Sequence, residues 1–168
     1  MSQKIVGKSL ATAALFALIA VPALAQAPPA PPPQIPYGVS VTTELAKKIG
    51  AAVIAASKKL NIKEAVAIVD TAGYLIYFEK MDDTQLGSVG LAVDKAKASA
   101  LFRRPTKVFE DAVASGGVGL RTLGLTGAVP IEGGVPIIVD GKVVGAIGAS
   151  GGSAAQDGEV AKAGLEAK

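Results

Sequence analysis

The chain has 168 residues, a formal net charge of +3, and neither histidine nor cysteine. These two absences exclude a Ser-His-Asp triad, zinc sites built on histidine or cysteine, cysteine-ligated iron–sulfur clusters and thiol chemistry. The basic and acidic residues, 17 and 14, nearly balance, and only 4% of residues are aromatic. This composition gives no support to nucleic-acid binding.

Residues 1–25 have the pattern of a secretory signal peptide. Two lysines precede an uncharged apolar run from Leu10 to Ala20, and Ala23-Leu24-Ala25 supplies a small-x-small cleavage site. An uncleaved membrane anchor is the alternative, but the run is short for a bilayer span and Pro22 interrupts its end. We therefore expect an exported protein, periplasmic or secreted, with no membrane attachment after signal cleavage.

Residues 26–36, QAPPAPPPQIP, are predicted to be a proline-rich linker. They carry no charge, and such sequence favours extended polyproline II and acts as a semi-rigid spacer. A PxxP ligand for a partner domain is the alternative interpretation. The remaining residues, 37–168, are long enough to form one domain with its own core.

Within this domain, apolar periodicity and turn residues predict helices and two antiparallel hairpins. Thr42, Thr43, Ser88 and Thr106 are candidate helix N-caps. Segment 116–127 is glycine-rich and is predicted to be a loop with room for one short strand. The predicted elements are a helix at 43–60, strands at 64–70 and 74–80, helices at 88–102 and 107–115, strands at 135–140 and 142–150, and a helix at 153–167. Hairpin-joined strands indicate an α+β fold with an antiparallel sheet covered by helices.

The last predicted strand ends in Gly148-Ala149-Ser150-Gly151-Gly152, which matches the G-x-S-x-G nucleophile elbow of α/β-hydrolases. Without histidine, Ser150 keeps an ordinary hydroxyl and is a poor nucleophile. The predicted hairpins also lack the parallel sheet that an elbow needs. A Ser-Lys arrangement with Lys142 or Lys162 remains formally open. The glycines either let the chain turn into a capped helix or cradle a ligand anion on free amides.

Other polar candidates allow two interpretations each. Arg103-Arg104-Pro105-Thr106 is either a solvated helix end, where cations favour the helix dipole, or a contact to a ligand. Asp94 and Lys95 are either catalytic or form ion pairs at the surface or between subunits. Asp82-Asp83 is predicted to be an ordinary loop, since two carboxylates rarely suffice for a hard cation. Glu132-Gly133-Gly134 is predicted to be a turn, with Glu132 facing a pocket as the alternative.

Four motifs occur together in this chain. They are D-K-A at 94–96, F-R-R-P-T at 102–106, E-G-G-x-P at 132–136 and G-A-I-G-x-S-G-G at 145–152. This combination resembles the GlcG/HbpS-like haem-binding proteins, also called the haem-degrading domain family, over residues 42–166. The resemblance implies a profilin-like fold with a five-stranded antiparallel sheet flanked by helices. It also implies homo-oligomers, from dimers to octamers.

The resemblance further implies tetrapyrrole binding in some exported members and an accessory role linked to glycolate metabolism in others. Haem offers an apolar plane and two propionates, so its site needs apolar walls, cations and an iron ligand. The resemblance assigns these roles to Phe102 as a wall, Arg103 and Arg104 as carboxylate partners, and Thr106 as a weak oxygen ligand to the metal. Glu132 and Ser150 complete the predicted cofactor-binding residues.

Since the chain has no histidine, strong axial ligation of haem iron through imidazole is excluded. The remaining candidate ligands besides Thr106 are Tyr37, Tyr74, Tyr77 and Met81. The favoured function is an exported protein that binds haem or a related small molecule for storage, protection or sensing. Two alternatives are an enzyme that degrades haem or acts on a small carboxylated metabolite, using Asp, Glu, Lys or Tyr as acid or base, and a ligand-free scaffold.

Overall fold

The structure of the protein, a computed structural model, describes residues 34–168. The predicted signal peptide and the first part of the proline-rich linker lie outside the described residues. Within residues 34–168, no helix is both long enough and apolar enough to cross a membrane.

The described residues form a four-stranded antiparallel sheet with helices on both faces, which confirms the predicted α+β class. The strands lie in the order β2-β1-β4-β3. The strands are β1 Ala65–Val69, β2 Leu75–Lys80, β3 Gly134–Val139 and β4 Lys142–Ser150, and the α-helices are α1 Thr43–Lys59, α2 Gly87–Phe102, α3 Lys107–Ala114 and α4 Ala154–Gly164. Two 3-10 helices cover Gly117–Gly124 and Leu165–Ala167.

Strand β1 lies in the middle of the sheet, and all five of its residues are buried. Its alternation sends the alanines and Val69 to one face, where they pack against an alanine stripe of α2. That stripe consists of Ala92, Ala96 and Ala100, which recur every four residues. Because both surfaces carry small side chains, α2 lies close to the sheet: a Cβ atom on Gly148 of β4 would collide with the carbonyl oxygen of Ala92.

The other face of the sheet carries larger side chains and is covered by α1 and α4. Val66 and Ile68 of β1 join Ile147 of β4 in this core. From the helices come Ala46, Ile49, Val53, Ile54, Val160 and Ala161. Helix α1 starts as predicted, because the Thr42 hydroxyl accepts a hydrogen bond from the Leu45 amide at 3.2 Å.

The expected fifth strand is wrong. The glycine-rich segment, where a short strand was one possibility, forms the 3-10 helix Gly117–Gly124 instead. Gly116, Gly117 and Gly127 all have positive φ, a backbone conformation that is incompatible with an extended strand. The resemblance to the profilin-like topology stays a prediction.

The N-cap predicted at Ser88 is also wrong, and so is the capping bond predicted for Thr106. Helix α2 begins at Gly87, and the Ser88 side chain instead contacts Gln85 and Ser150. Thr106 does precede α3, but its hydroxyl bonds to β3 rather than to the helix. In both cases a tertiary partner competes successfully with the local capping bond.

The residues before α1 extend the sheet. β1 pairs only with the second half of β4, so the first half of β4 has a free edge on that side. The Val143 amide donates to the Pro36 carbonyl at 2.9 Å, and the Gly38 amide donates to the Val143 carbonyl at 2.8 Å. We call residues 35–38 the N-terminal strap.

Candidate binding site

The turn between α2 and α3 carries the predicted arginine pair. Helix α2 ends because Arg103 adopts a left-handed conformation with φ of 53°. The Arg103 Nη1 donates to the Ile35 carbonyl at 3.1 Å, and its guanidinium carbon lies 4.9 Å from the centroid of the Tyr37 ring. Arg103 is therefore engaged by the N-terminal strap, through a hydrogen bond and a cation–π contact.

Arg104 is exposed and lies against an aromatic pair. Its guanidinium carbon is 5.9 Å from the Phe109 ring centroid, and Phe109 meets Phe102 edge to face with 5.1 Å between centroids. The Arg104 Nε donates to the Phe102 carbonyl at 3.0 Å. These contacts fix the side chain while the charge stays at the surface, so Arg104 is the more accessible of the two cations.

The segment from α3 to β3 exposes several large apolar side chains beside this arginine turn. Segment Gly117–Gly124 packs on α3, and a Cβ atom on Gly127 would contact the Phe102 ring at 3.9 Å. We call the exposed residues the apolar face: Val108, Val118, Leu120, Leu123, Leu125 and Ile131, each at least 41% exposed. Exposed apolar surface of this kind is typical of interfaces and ligand contacts.

Thr106, the predicted iron ligand, is fully buried. Its hydroxyl accepts a hydrogen bond from the Gly134 amide at 2.9 Å, and its own amide donates to the Gly134 carbonyl at 3.0 Å. The threonine thus ties α3 to the start of β3. In this conformation its oxygen faces protein, not an open surface.

Glu132 is buried at the loop before β3 and makes an ion pair with Lys162 of α4 at 2.8 Å. Its backbone amide donates to the Glu110 carboxylate at 2.6 Å. Both the turn and the inward-facing side chain predicted for this residue are present, but the Glu132 carboxylate meets a lysine of the same chain.

Ser150 is buried at the end of β4, and its hydroxyl lies 3.2 Å from the Ser88 hydroxyl. Lys162 is paired with Glu132, and Lys142 lies at the opposite end of the nine-residue strand β4 from Ser150. The Ser-Lys arrangement is therefore wrong. No form of the nucleophile-elbow interpretation of Ser150 is left, because the chain has no histidine for a triad.

Behind these residues lies a buried charge cluster, formed by Glu64, Lys95 and Asp157. The Lys95 ammonium is 2.5 Å from the Asp157 carboxylate and donates to the Ala149 carbonyl at 3.2 Å. Lys95 is fully buried, so the prediction of a surface or subunit ion pair is wrong. Its position three residues after Ala92, on the alanine face of α2, is the sequence signal that indicates burial.

The free amides at the start of α4 bind an anion, and that anion belongs to the chain. Gly151 and Gly152 donate to one Asp157 carboxylate oxygen at 3.2 and 2.9 Å. Ser153 then caps α4 in a reciprocal capping box with Gln156. The interpretation of a turn into a capped helix is confirmed, and the interpretation of a cradle for a ligand anion is wrong, because Asp157 of the same chain takes these amides.

Glu64 is the third member of the cluster, and sequence analysis missed it. It is fully buried, and neither carboxyl oxygen has a hydrogen-bond partner within residues 34–168. Burial, followed by the negative charge of Asp157, raises the pKa of Glu64 to about 8, against a smaller lowering by Lys95. Glu64 therefore retains its proton to a higher pH than an ordinary carboxyl group does.

The loop before β3 closes over this cluster. A Cβ atom on Gly133 would lie 2.7 Å from the Lys95 ammonium and 2.6 Å from the Ala149 carbonyl oxygen. Gly133 also has φ of 131°, which side chains rarely adopt. The predicted turn at Glu132-Gly133-Gly134 therefore needs glycine at position 133, both for the backbone conformation and for the close approach of the loop to Lys95 and Ala149.

The predicted site residues fall into three places. Thr106 and Glu132 lie on the inner side of α3, Ser150 lies at the Ser88 contact, and the Phe102–Arg104 turn faces outward. Two surface cavities of about 380 and 270 Å³ lie elsewhere, beside Gly38–Thr42 and beside Glu79–Asp82. The arginine turn and the apolar face line neither of these two cavities.

Among the described residues, no group of three or more carboxylates, histidines or cysteines could hold a metal ion. The alternative iron ligands are mostly engaged. The Tyr37 hydroxyl bonds to carbonyls of α2, the Tyr77 hydroxyl bonds to Glu79, and the Met81 sulfur accepts from the Glu64 amide. Tyr74 is 73% exposed, on the turn that leads into β2.

A family model described as haem degrading protein HbpS-like matches residues 41–166 of this chain. The chain belongs to the HbpS-like family. The family resemblance that the four sequence motifs carried is therefore confirmed. The match starts just before α1 and ends in the last 3-10 helix, so this HbpS-like domain includes the whole sheet and all four α-helices.

Named relatives agree with this assignment. Protein GlcG from Escherichia coli K12 is 38% identical over 110 residues, which cover 63% of this chain and 81% of GlcG. The crystal structure of a PduOC–haem complex matches with a TM-score of 0.70 at 27% identity, covering 77% of this chain and 96% of that one. The crystal structure of HbpS matches with a TM-score of 0.70 at 26% identity, covering 77% and 90%.

Proposed function

We propose that this HbpS-like protein binds haem or a related anionic tetrapyrrole on the outward surface formed by the arginine turn and the apolar face. The observation that carries the proposal is Arg104, an exposed cation that lies against the Phe102–Phe109 pair, while the chain that follows exposes the leucines and valines of the apolar face. Such a surface offers a charge for a propionate and apolar contacts for a flat macrocycle. The haem complex of the structural relative PduOC supports the same ligand class.

The residues present fit the macrocycle better than they fit its iron. The chain has no histidine or cysteine, and the Thr106 hydroxyl is buried and bonded to Gly134. Binding therefore depends on apolar contact and on charge, and iron adds little to it. Haem that is held this way would be stored or shielded, and its iron would not be activated for catalysis. This behaviour fits a carrier or a sensor.

The test is a titration of the protein with haemin and, in parallel, with iron-free protoporphyrin, followed by the porphyrin absorption band. We expect saturable binding of both, with affinities within about tenfold of each other, since a difference of tenfold corresponds to 1.4 kcal/mol. Absence of saturable binding for either compound would refute the proposal. A strong preference for haemin would point to an iron ligand that the structure keeps covered, with Thr106 and Tyr74 as the first candidates.

The same titration separates a carrier from a haem-degrading enzyme. With catalase present to remove peroxide, a carrier leaves the bound haem spectrum constant over hours. Steady loss of that spectrum would favour turnover, which would then require an acid or base among the Asp, Glu, Lys and Tyr side chains.

We further propose that the protein is exported and self-associates. Residues 1–25 support export through their signal-peptide pattern. The apolar face supports association, because large exposed apolar surface tends to be covered by a partner. Native mass spectrometry of the protein recovered from the periplasm or medium tests both: a chain that starts after Ala25, in dimers or larger assemblies, is expected. A full-length monomer would contradict both proposals.

A further inference from the structure

The N-terminal strap lies across the end of α2. Its backbone is fixed by hydrogen bonds between Pro36, Gly38 and Val143 of β4. This places the Tyr37 hydroxyl 3.0 Å from both the Ala100 and Leu101 carbonyls, in the last turn of α2. The Ala100 carbonyl also accepts from the Arg103 amide at 3.3 Å, so the tyrosine adds a second partner to a helix end whose carbonyls have few partners within the helix.

Arg103 is held by the same strap. Its Nη1 donates to Ile35, and one face of its guanidinium covers the Tyr37 ring. Both partners are neutral, so the positive charge of Arg103 is not cancelled by a carboxylate of the strap. The neighbouring Arg104 lies against Phe109 and remains exposed.

We infer that the N-terminal strap is a latch that controls access of an anionic ligand to Arg103. A ligand carboxylate would form a charge-assisted bond to the guanidinium, which is stronger than the bond to the neutral Ile35 carbonyl. When the latch is closed, only Arg104 is open to such a ligand. When it opens, both arginines are available on one turn, so ligand binding and strap release favour each other.

This latch rests on the proposed function for its ligand, but its structural part can be tested without one. Phenylglyoxal modifies accessible arginines, and peptide mass spectrometry reports the rate at each of the three arginines in the chain, Arg103, Arg104 and Arg121. In the wild-type protein, Arg103 should react slowest. Tyr37→Ala removes the stacked ring and the bonds to α2, and should raise the Arg103 rate by about tenfold, with the other two unchanged.

Two further variants keep this test decisive. Tyr37→Phe retains the ring without the hydroxyl and should give an intermediate rate at Arg103. Tyr74→Ala removes an exposed tyrosine on the turn before β2, and should leave all three rates as in the wild type. Equal reactivity of Arg103 and Arg104 in the wild-type protein, or an Arg103 rate that Tyr37→Ala does not change, would overturn the latch.

The ligand part is tested with protoporphyrin. Tyr37→Ala should bind it several-fold more tightly than the wild type, and bound protoporphyrin should speed amide hydrogen exchange in residues 35–38. If binding is saturable but Tyr37→Ala does not change the affinity, the latch does not regulate the site and the inference is wrong. If nothing binds to any variant, the proposed function is wrong, and the phenylglyoxal rates still decide whether the strap covers Arg103.

Discussion

Helix α2 supplies cations to two very different places. Lys95 in its middle enters the buried charge cluster, where Asp157 neutralises it at 2.5 Å. Arg103 and Arg104 at its end meet only neutral groups, the Tyr37 and Phe109 rings and backbone carbonyls. A cation that is neutralised by its own chain supports the fold, whereas a cation held by neutral partners keeps its charge for a ligand. Mutation of the buried Lys95–Asp157 pair should therefore change mainly stability, whereas mutation of the arginines should change mainly ligand affinity.

Breaking the buried pair should have the largest effect. Asp157→Asn keeps an oxygen for the Gly151 and Gly152 amides but removes the counter-charge of the buried Lys95. We expect the free energy of unfolding in urea to fall by about 3–5 kcal/mol, because a buried charge is left uncompensated. Adding Lys95→Met to Asp157→Asn should restore much of the loss.

The control for the buried pair is the exposed pair between Lys107 and Asp111 on α3. Lys107→Met should change stability by no more than about 1 kcal/mol, as is usual for surface ion pairs. Equal losses for Asp157→Asn and Lys107→Met would mean that the cluster is not a structural element.

Glu64 should make stability depend on pH in the direction opposite to that of ordinary paired carboxylates. Its pKa is about 8 in the folded protein and 4.5 in the unfolded chain, so the folded state binds the extra proton between these values. Stability from this group is complete below about pH 4.5 and is lost as pH rises through 8. The loss should be on the order of a few kcal/mol, since each pKa unit corresponds to about 1.4 kcal/mol.

Glu64→Gln removes this proton while keeping the shape of the side chain. Urea unfolding at pH values from 5 to 9 should show a falling curve for the wild type and a flatter one for the variant. The Gln variant should therefore be relatively more stable at pH 9. Parallel curves for the two proteins would place the pH dependence elsewhere.

A matched pair of glycines compares packing in the two regions. Gly133 and Gly127 both have positive φ, but a Cβ atom would meet the Lys95 ammonium and the Ala149 carbonyl at Gly133, and only the Phe102 ring edge at Gly127. Gly133→Ala should cost about 1–3 kcal/mol more than Gly127→Ala in urea unfolding, because overpacking adds to a backbone strain that is itself larger at φ of 131° than at 82°. Equal costs would show that the loop moves away from the cluster freely.

Removing Arg104 should have the smallest effect on the fold and the clearest effect on binding. Arg104→Ala should change stability by less than about 0.5 kcal/mol, as surface substitutions usually do. Its affinity for protoporphyrin should fall by about tenfold, from loss of one charge-assisted contact. Lys48→Ala on α1, which also removes an exposed cation, should leave the affinity unchanged. An equal effect of the two variants would indicate unspecific attraction of charge.

The sequence was sufficient to predict the helices, both hairpins and the sheet type, because apolar periodicity and turn residues act locally. Thr42 and the Asp140-Gly141 turn show this most directly, as each is where the local pattern predicts it. Apart from the missing fifth strand, the main failures have tertiary causes. Ser88 and Thr106 bond across the fold rather than capping helices, and the pKa of Glu64 is raised because the fold buries it and α4 brings Asp157 beside it.

For the binding surface, the sequence identified the arginine turn but could not predict the direction in which its side chains point. The same motif placed Phe102 and Arg104 outside, Arg103 under the strap and Thr106 inside. The reason is the left-handed residue Arg103 at the helix end, which sends neighbouring residues of the motif into different surroundings.

The close packing of α2 against the sheet also determines where this protein tolerates amino-acid substitutions. Alanines at every fourth position and a glycine opposite them leave no space for a longer side chain, so homologous chains should diverge little there. The 3-10 segment Gly117–Gly124 has no buried residue and packs on α3, and the chain just after it approaches Phe102 at Gly127. Randomised libraries at Val118, Leu120 and Leu123 would therefore be the natural starting point for engineering new ligand preferences on this scaffold.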